Sequence, residues 1–389
     1  MPTVRTPKRF FWLLRMTLLL MGATLLMERS SAADAPAEAK PAGRKGVTLF
    51  VSKLGDDSDG SSWEKAFRTL RGALLAVPDA SGGHRIVVRP DTYLEANLYP
   101  AFKGAAGAAN ELVGDFDGSL GSGATGWTVI DSGDPQLGFK SYDWHTTIRA
   151  YKKGWSPEHT EESTSSAVWD RWNLRRLYAT GSDAGLFFDL VDDTQPFTVV
   201  VEDCVGIGRA FGGGVANCLS RHDEPITFRR CHLWALDFWG DTSGAYVRVE
   251  NESMPERPDV VFEDCTMVGP QCALKSSNFG FQTYTHAKLV NCRLIALNFS
   301  QPHGTPIDGI IQSVQDGKLL KVDLEDCTLM GYKVFGVIVN KESVGDIQYT
   351  TKGKVAAYVQ FQQQTPEGIE RLTEWPVELF RSIAPPALP

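Results

Sequence analysis

The chain has 389 residues, of which 42% are hydrophobic and 22% are charged, and its net charge is −8 at pH 7. This composition is typical of a soluble protein and supplies enough apolar residues for a large core. No basic stripe interleaved with aromatic residues is present, which argues against a nucleic-acid partner. The acidic balance also argues against an acidic polymer as a ligand, unless a local basic cleft or Ca²⁺ bridges the charges.

The first 33 residues are predicted to be a secretory signal peptide. A basic region precedes an apolar stretch, residues 16–27, that is too short to span a bilayer, and small residues at 31–33 offer a cleavage site. The basic residues are Arg5, Lys8, Arg9 and Arg15. The alternative is an uncleaved membrane anchor. We expect a secreted or periplasmic protein with no membrane contact after cleavage, and residues 34–46, rich in Ala and Pro, to be a disordered linker.

An N-terminal helix is predicted next. Ser61 and Glu64 fit a capping box, and apolar residues recur at helical spacing from Trp63 to Leu74. The pattern predicts an amphipathic helix of about 12 residues that covers one end of the core.

The segment from residue 101 to residue 197 is irregular, with a Gly- and Ala-rich loop over 104–126. Trp155, Trp169 and Trp172 fall within it, in a polar stretch. They either anchor a loop or form a surface on which sugar rings stack.

Five segments then share one pattern: apolar, any, apolar, any, Asp or Asn, Cys. They begin at Val199, Ile226, Val260, Ala287 and Val322 and end at Cys204, Cys231, Cys265, Cys292 and Cys327. Plain alternation along a strand would turn the cysteine outward. A bend at the Asp or Asn position, in the left-handed backbone region, would reverse the phase and turn the cysteine inward. Arg230 occupies the bend in the second segment, and the pattern does not explain it.

The intervals between these cysteines are 27, 34, 27 and 35 residues, which is typical of a solenoid. One strand pair per period favours a coil of parallel strands over a propeller blade. We expect the extra residues of the long intervals to form loops over 239–258 and 300–318.

Stacked coils would place the five cysteines in one inward ladder. We expect a ladder of reduced thiols, because buried Cys behaves as a small hydrophobic residue. Disulfides within the ladder are the alternative. A metal site is disfavoured because the cysteines are not paired as Cys-x-x-Cys. Cys218 and Cys272 stand outside the pattern and could pair with each other.

The segment 50–60, followed by Trp63 and by Ala66-Phe67-x-Thr69-Leu70, resembles the opening of the pectin-lyase-like superfamily, in particular of secreted bacterial proteins with right-handed parallel β-helix repeats. Asp91 stands where those proteins usually have Gly. The resemblance covers about residues 48–98 in motif and 197–335 in repeat style. It implies an all-β fold, a right-handed parallel β-helix with an N-terminal capping helix.

We therefore expect a single domain over 47–389, with a C-terminal cap over 363–389 anchored by Trp375. The superfamily includes polysaccharide lyases, glycoside hydrolases, pectin esterases and non-enzymatic surface proteins, so the resemblance leaves the activity open. The sequence does not define the oligomeric state.

Two acids could support glycoside hydrolysis. Asp237 and Asp241 follow the second repeat, with Trp234 and Trp239 beside them as an aromatic platform for substrate. Two carboxylates that flank a glycosidic bond are the usual catalytic pair of a glycoside hydrolase. The competing interpretation is that both acids only form turns.

Lys275 and Arg248 are the candidates for lyase chemistry, and the competing interpretation of Lys275 is an ordinary solvated lysine. Lys275 could act as a base beside an Asp-held Ca²⁺, as in pectate-lyase chemistry, with Arg248 as a second cation that binds substrate. His303, in the second long loop, could act as a general acid or base. The sequence supports two hypotheses: an exported enzyme that acts on polysaccharide, by lyase or hydrolase chemistry, and a non-catalytic binding or surface solenoid.

Overall fold

A computed structural model describes residues 46–132, 166–181, 184–190, 193–221, 223–236, 242–277, 282–297, 309–314, 316–338, 346–360, 362 and 364–387. The predicted signal peptide and nearly all of the predicted linker lie outside these ranges. Within them, no helix combines the length and the apolar character needed to cross a membrane.

The strands form three parallel sheets that run along one coil. Sheet 1 contains β1 (Thr48–Val51), β2 (Arg85–Val88), β4 (Asn110–Gly114), β6 (Trp172–Arg175), β10 (Val199–Glu202), β13 (Ile226–Arg229), β16 (Val260–Glu263), β19 (Thr285–Val290), β22 (Leu320–Glu325) and β25 (Gln348–Lys352). Sheet 2 contains β3 (Asp91–Leu94), β5 (Thr128–Asp131), β7 (Leu177–Gly181), β11 (Val205–Gly208), β14 (His232–Ala235), β17 (Thr266–Gly269), β20 (Arg293–Ala296), β23 (Thr328–Gly331), β26 (Ala356–Val359) and β27 (Glu370–Arg371).

Sheet 3 contains β8 (Ala184–Asp189), β12 (Phe211–Ser220), β15 (Ser243–Val249), β18 (Cys272–Ser277), β21 (Ile311–Val314) and β24 (Phe335–Ile338), and β9 (Pro196–Phe197) pairs with the end of β12. The helices are α1 (Leu70–Leu75), α2 (Val377–Arg381) and two 3-10 turns, Ser166–Trp169 and Gly317–Leu319. The predicted all-β parallel β-helix is confirmed.

The predicted bend between sheets 1 and 2 is also confirmed. The bend residues adopt φ between 51° and 55°. They are Asp203, Arg230, Asp264, Asn291 and Asp326. Each bend turns the cysteine that follows toward the core, as the phase change in the sequence requires.

Contacts with the neighbouring coil account for arginine at one of these bends. The Arg230 guanidinium donates two hydrogen bonds to the Asp203 carboxylate, with N···O distances of 2.6 and 2.9 Å, and it pairs with Glu202 at 2.8 Å. These charge-assisted bonds offset the cost of the left-handed conformation.

The five repeat cysteines form the predicted inward ladder. All seven cysteines of the chain are reduced and buried. Each ladder Sγ atom lies 3.4 to 3.7 Å from a backbone carbonyl oxygen of the preceding coil. Burial raises the pKa of the thiols of Cys204 and Cys265, which keeps them protonated. The suggested pairing of Cys218 with Cys272 is wrong, because Cys272 Sγ instead lies 3.3 Å from Oε1 of Gln312.

Each full coil has three strands rather than the two that the repeat predicts. The expected loop over 239–258 contains β15, and the expected loop over 300–318 contains β21. The repeat pattern covers only sheets 1 and 2, so the third strand of each coil was missed.

The N-terminal helix is shorter than predicted. It begins after Thr69, whose hydroxyl accepts a hydrogen bond from the amide of Gly72, and not at Ser61. The preceding residues pair with β1 instead, since the amide of Phe67 donates to the carbonyl oxygen of Phe50 at 2.9 Å. Leu70 and the other buried residues of α1 join the main core beside β1 and β2.

The two described tryptophans of the irregular segment are core anchors. Trp169 and Trp172 are fully buried, and their indole N–H groups donate to the carbonyl oxygens of Leu98 and Phe102 at 3.1 Å. A sugar-stacking role is therefore wrong for both. Trp155 lies outside the described residues.

The C-terminal segment lies along the outer face of sheet 2. Leu379 of α2 packs on Val268, Ile295 and Met330, which point outward from three successive strands of that sheet. The Trp375 ring lies 5.3 Å from the Tyr358 ring, farther along the same face.

Candidate active site on sheet 3

Lys275 lies at the centre of a row of side chains on the outer face of sheet 3. It follows Leu274, which points into the core, so its own side chain points away from the core. Strand register places it between Tyr246 of β15 and Gln312 of β21. Adjacent strands are about 4.8 Å apart, so the three side chains are direct neighbours. Lys275 is only 1% exposed, so this outward face is covered.

An aromatic patch borders the row on the side of Tyr246. The Tyr246 ring lies 4.9 Å from Phe211 and 5.8 Å from Phe187. Gly214 separates Phe187 from Tyr246 in the register, and it has a φ of 142°. A Cβ atom at Gly214 would lie 1.9 Å from the carbonyl oxygen of Tyr246, so glycine is required for the strands to pair here.

Several buried polar groups lie next to Lys275: Ser277 and Gln312 on the same face of the sheet, and Ser276 on the opposite face of β18. Ser276, Ser277 and Gln312 are 0% exposed. In the part of the chain that the structure describes, the hydroxyls of both serines and Nε2 of Gln312 have no hydrogen-bond partner. Each such group costs about 1 to 3 kcal/mol of stability if it stays unpaired, so these groups require partners that the described residues do not supply.

Arg248 lies close to Lys275. It is two residues after Tyr246 on β15, so both side chains point to the same face of the strand next to Lys275. Its guanidinium pairs with Glu250 at 2.8 Å, and its side chain is 14% exposed. The structure therefore brings together two of the cations that the sequence identifies.

Trp234 is not part of this group. It lies on β14 in sheet 2, next to Val268 in the register, and packs with the apolar cluster under the C-terminal segment. It has no place in a site built around Lys275.

The remaining candidates, Asp237, Trp239, Asp241 and His303, lie outside the described residues. The flanking strands give only their place in the chain. Residues 237–241 connect β14 to β15, and residues 298–308 connect β20 to β21, so both segments join sheet 2 to sheet 3. Only β17 separates β14 from β20, so the ends of the flanking strands lie about 10 Å apart.

Tyr246 and Gln312 were missed by sequence reasoning. A signal for β15 does exist, because Ala245, Val247 and Val249 alternate as in a half-buried strand. The register that aligns Tyr246 with Lys275 is a tertiary feature, and the unequal lengths of the coils hide it.

The described residues combine an amine, a guanidinium, a phenol and an amide on one covered face. A lysine amine can accept a proton once it has lost its own, and a guanidinium can bind a carboxylate. No group of three or more His, Cys, Asp or Glu side chains could hold a metal ion within the described ranges.

Comparison with known proteins supports the fold. No family model and no curated protein matches the chain. The solved structures that match include pectate lyase Pel9A, with a TM-score of 0.50 and 11% identity over 83% of this chain and 73% of that one. A rhamnogalacturonan lyase matches with a TM-score of 0.49 and 15% identity over 82% of this chain and 75% of that one. At 11% identity, the likeness to Pel9A shows a shared fold and no more.

Proposed function

We propose that this protein acts on a polysaccharide that contains uronic acid and cleaves it by β-elimination, with Lys275 as the base. The observation that carries the proposal is the position of Lys275, buried at the centre of a polar row on the outer face of sheet 3. One solved structure with this fold is a pectate lyase, so the fold can support such a reaction.

In this reaction the neutral Lys275 amine takes the proton from the carbon next to the uronate carboxylate. The electron pair forms a carbon–carbon double bond, and the glycosidic oxygen leaves with the chain it carries and takes up a proton. Negative charge develops on the carboxylate, and Arg248 is placed to stabilise it after exchanging Glu250 for the substrate. Once Glu250 is exchanged for the substrate, Arg248 supplies the positive charge that an acidic chain needs to bind an acidic polymer.

The burial of Lys275 requires a conformational step. With 1% of its surface exposed, the side chain meets substrate only after the groups that cover it move. The same burial favours a second candidate function, a non-catalytic binding solenoid in which Lys275 only holds the polar row together.

A polysaccharide screen separates the two functions. The purified protein is incubated with a panel of uronate-containing and neutral polysaccharides, with and without Ca²⁺, and both the absorbance of unsaturated products and the number of reducing ends are measured. Growth of both signals establishes a lyase. Reducing ends without absorbance would indicate hydrolysis and direct attention to Asp237 and Asp241. The absence of both signals with folded protein would favour the binding solenoid.

A further inference from the structure

A pocket lies on the outer face of sheet 2, away from Lys275. It has a volume of about 260 Å³ and lies where β11, β14 and β17 begin. Its floor includes Val205, His232 and Thr266, which are neighbours in the strand register. Trp127 and Pro386, far apart in sequence, form its walls.

His232 presents a buried hydrogen-bond acceptor to this pocket. The residue is 8% exposed, and burial lowers the pKa of its imidazole to about 4, so the ring is neutral at physiological pH. One ring nitrogen bonds to the backbone carbonyl of Ile383 in the C-terminal segment. The other, Nε2, has no hydrogen-bond partner among the described residues. We assign the proton to the nitrogen that faces Ile383, which leaves Nε2 with a lone pair for a hydrogen-bond donor.

The rest of the lining adds polar groups and an aromatic wall. Asp264 uses its Oδ1 atom to accept a hydrogen bond from Asn291, and Arg230 pairs with Asp203. The two carboxylates and one guanidinium give the rim a net charge of −1, which disfavours an anionic ligand. The Trp127 indole makes edge contacts with Phe116 at 4.8 Å and Tyr178 at 5.9 Å, which hold it in place.

We propose that this pocket binds one neutral, hydroxylated sugar ring, with His232 Nε2 accepting a hydrogen bond from a ligand hydroxyl and Trp127 packing against the ring. Its volume is below the usual range for drug-sized ligands, which fits a single ring. Aromatic packing combined with a few fixed polar groups suits a polyhydroxylated ring. The site is independent of Lys275 and of any lyase activity.

Binding is tested with methyl glycosides of glucose, galactose and mannose, and with galacturonic acid as the anionic comparison. Ligand-detected NMR titration of the full chain measures the affinities. We expect at least one neutral glycoside to bind, and galacturonic acid to bind more weakly at this site. His232→Phe keeps the bulk of the ring and removes the acceptor. It should weaken binding about tenfold, the effect of losing one hydrogen bond worth about 1.4 kcal/mol.

Trp127→Ala should weaken binding at least as much as His232→Phe does. Thr266→Val tests the pocket against a matched control, Thr328→Val, at the equivalent position two strands farther along sheet 2. Only the first of these two should lower the affinity. These variants also keep the test valid if His232→Phe does not fold. The proposal is overturned if none of the three neutral glycosides binds, or if binding is unchanged in the His232, Trp127 and Thr266 variants. Loss of lyase activity in a Lys275 variant would leave this binding intact.

Discussion

The bends between sheets 1 and 2 give the sharpest stability prediction. Asp264 has a φ of 55°, and its carboxylate accepts a hydrogen bond from Asn291 of the next coil at 2.5 Å. Asp264→Val places a β-branched side chain in the left-handed region, at a cost of about 1 to 2 kcal/mol. It also removes the hydrogen bond, worth about 0.5 to 1.5 kcal/mol. We expect a total loss of about 1.5 to 3.5 kcal/mol.

Asp264→Asn is the matched control. Asn tolerates the left-handed region and keeps a side-chain oxygen as an acceptor, so its free energy of unfolding should stay within about 0.5 kcal/mol of wild type. Urea unfolding followed by circular dichroism compares the transition midpoints of the three proteins. Equal midpoints for the Val and Asn variants would refute the claim that the coil depends on a left-handed residue at this bend.

Three further predictions concern the core and the outer faces. Burial by itself would raise the pKa of Asp323, but hydrogen bonds from His286 and Thr350 lower it to about 2 from 3.8. The ionised Asp323 therefore stabilises the fold by about 2 kcal/mol above about pH 4, and this contribution is lost as the pH falls toward 2. Asp323→Asn should make the free energy of unfolding depend less on pH between about pH 4 and pH 2. An unchanged slope in that range would contradict this prediction. Gly214→Ala should lower the free energy of unfolding, measured in urea, by at least about 2 kcal/mol. The added Cβ would clash with the carbonyl oxygen of Tyr246, and the φ of 142° at this position is strained for any residue with a side chain. A wild-type midpoint would contradict the pairing of Gly214 with Tyr246. A thiol reagent should modify no cysteine in the native protein and all seven in denaturant, whereas fewer than seven after unfolding would reveal disulfides.

The sequence predicts the first two strands of each coil because their pattern carries a local signal. The apolar pair, the Asp or Asn bend and the inward Cys all lie within six residues, so each repeat can be aligned with the next. Arg230 replaces the usual Asp or Asn at its bend but adopts the same left-handed conformation. An ion pair with Asp203 of the neighbouring coil explains the arginine, and this contact is visible only in the folded structure.

The third strand and the site on it depend on information that is not local. β15 and β18 differ in their distance from the preceding bend, so no fixed interval marks them in the sequence. Lys275 could be selected as a candidate from its residue type, but its burial and its neighbours Tyr246 and Gln312 follow from the register of sheet 3. Trp234 shows that closeness in sequence can also mislead. Its position near Asp237 in the sequence suggests a shared site, but in the structure Trp234 packs in the apolar cluster under the C-terminal segment.

The most direct test of the account is the effect of Lys275 on polysaccharide cleavage. Lys275→Met keeps most of the side-chain volume and removes the amine. Lys288→Met is the matched control, because Lys288 lies on the outer face of sheet 1, where it pairs with Glu325 at 3.3 Å. The rate of unsaturated-product formation is measured for the wild type and both variants on the polysaccharide that the wild type cleaves best. We expect Lys275→Met to lose at least about 99% of the rate, as for removal of a general base, and Lys288→Met to keep a near wild-type rate. Cleavage that survives Lys275→Met, in a protein that unfolds at the wild-type temperature, would contradict the assignment of the active site to sheet 3.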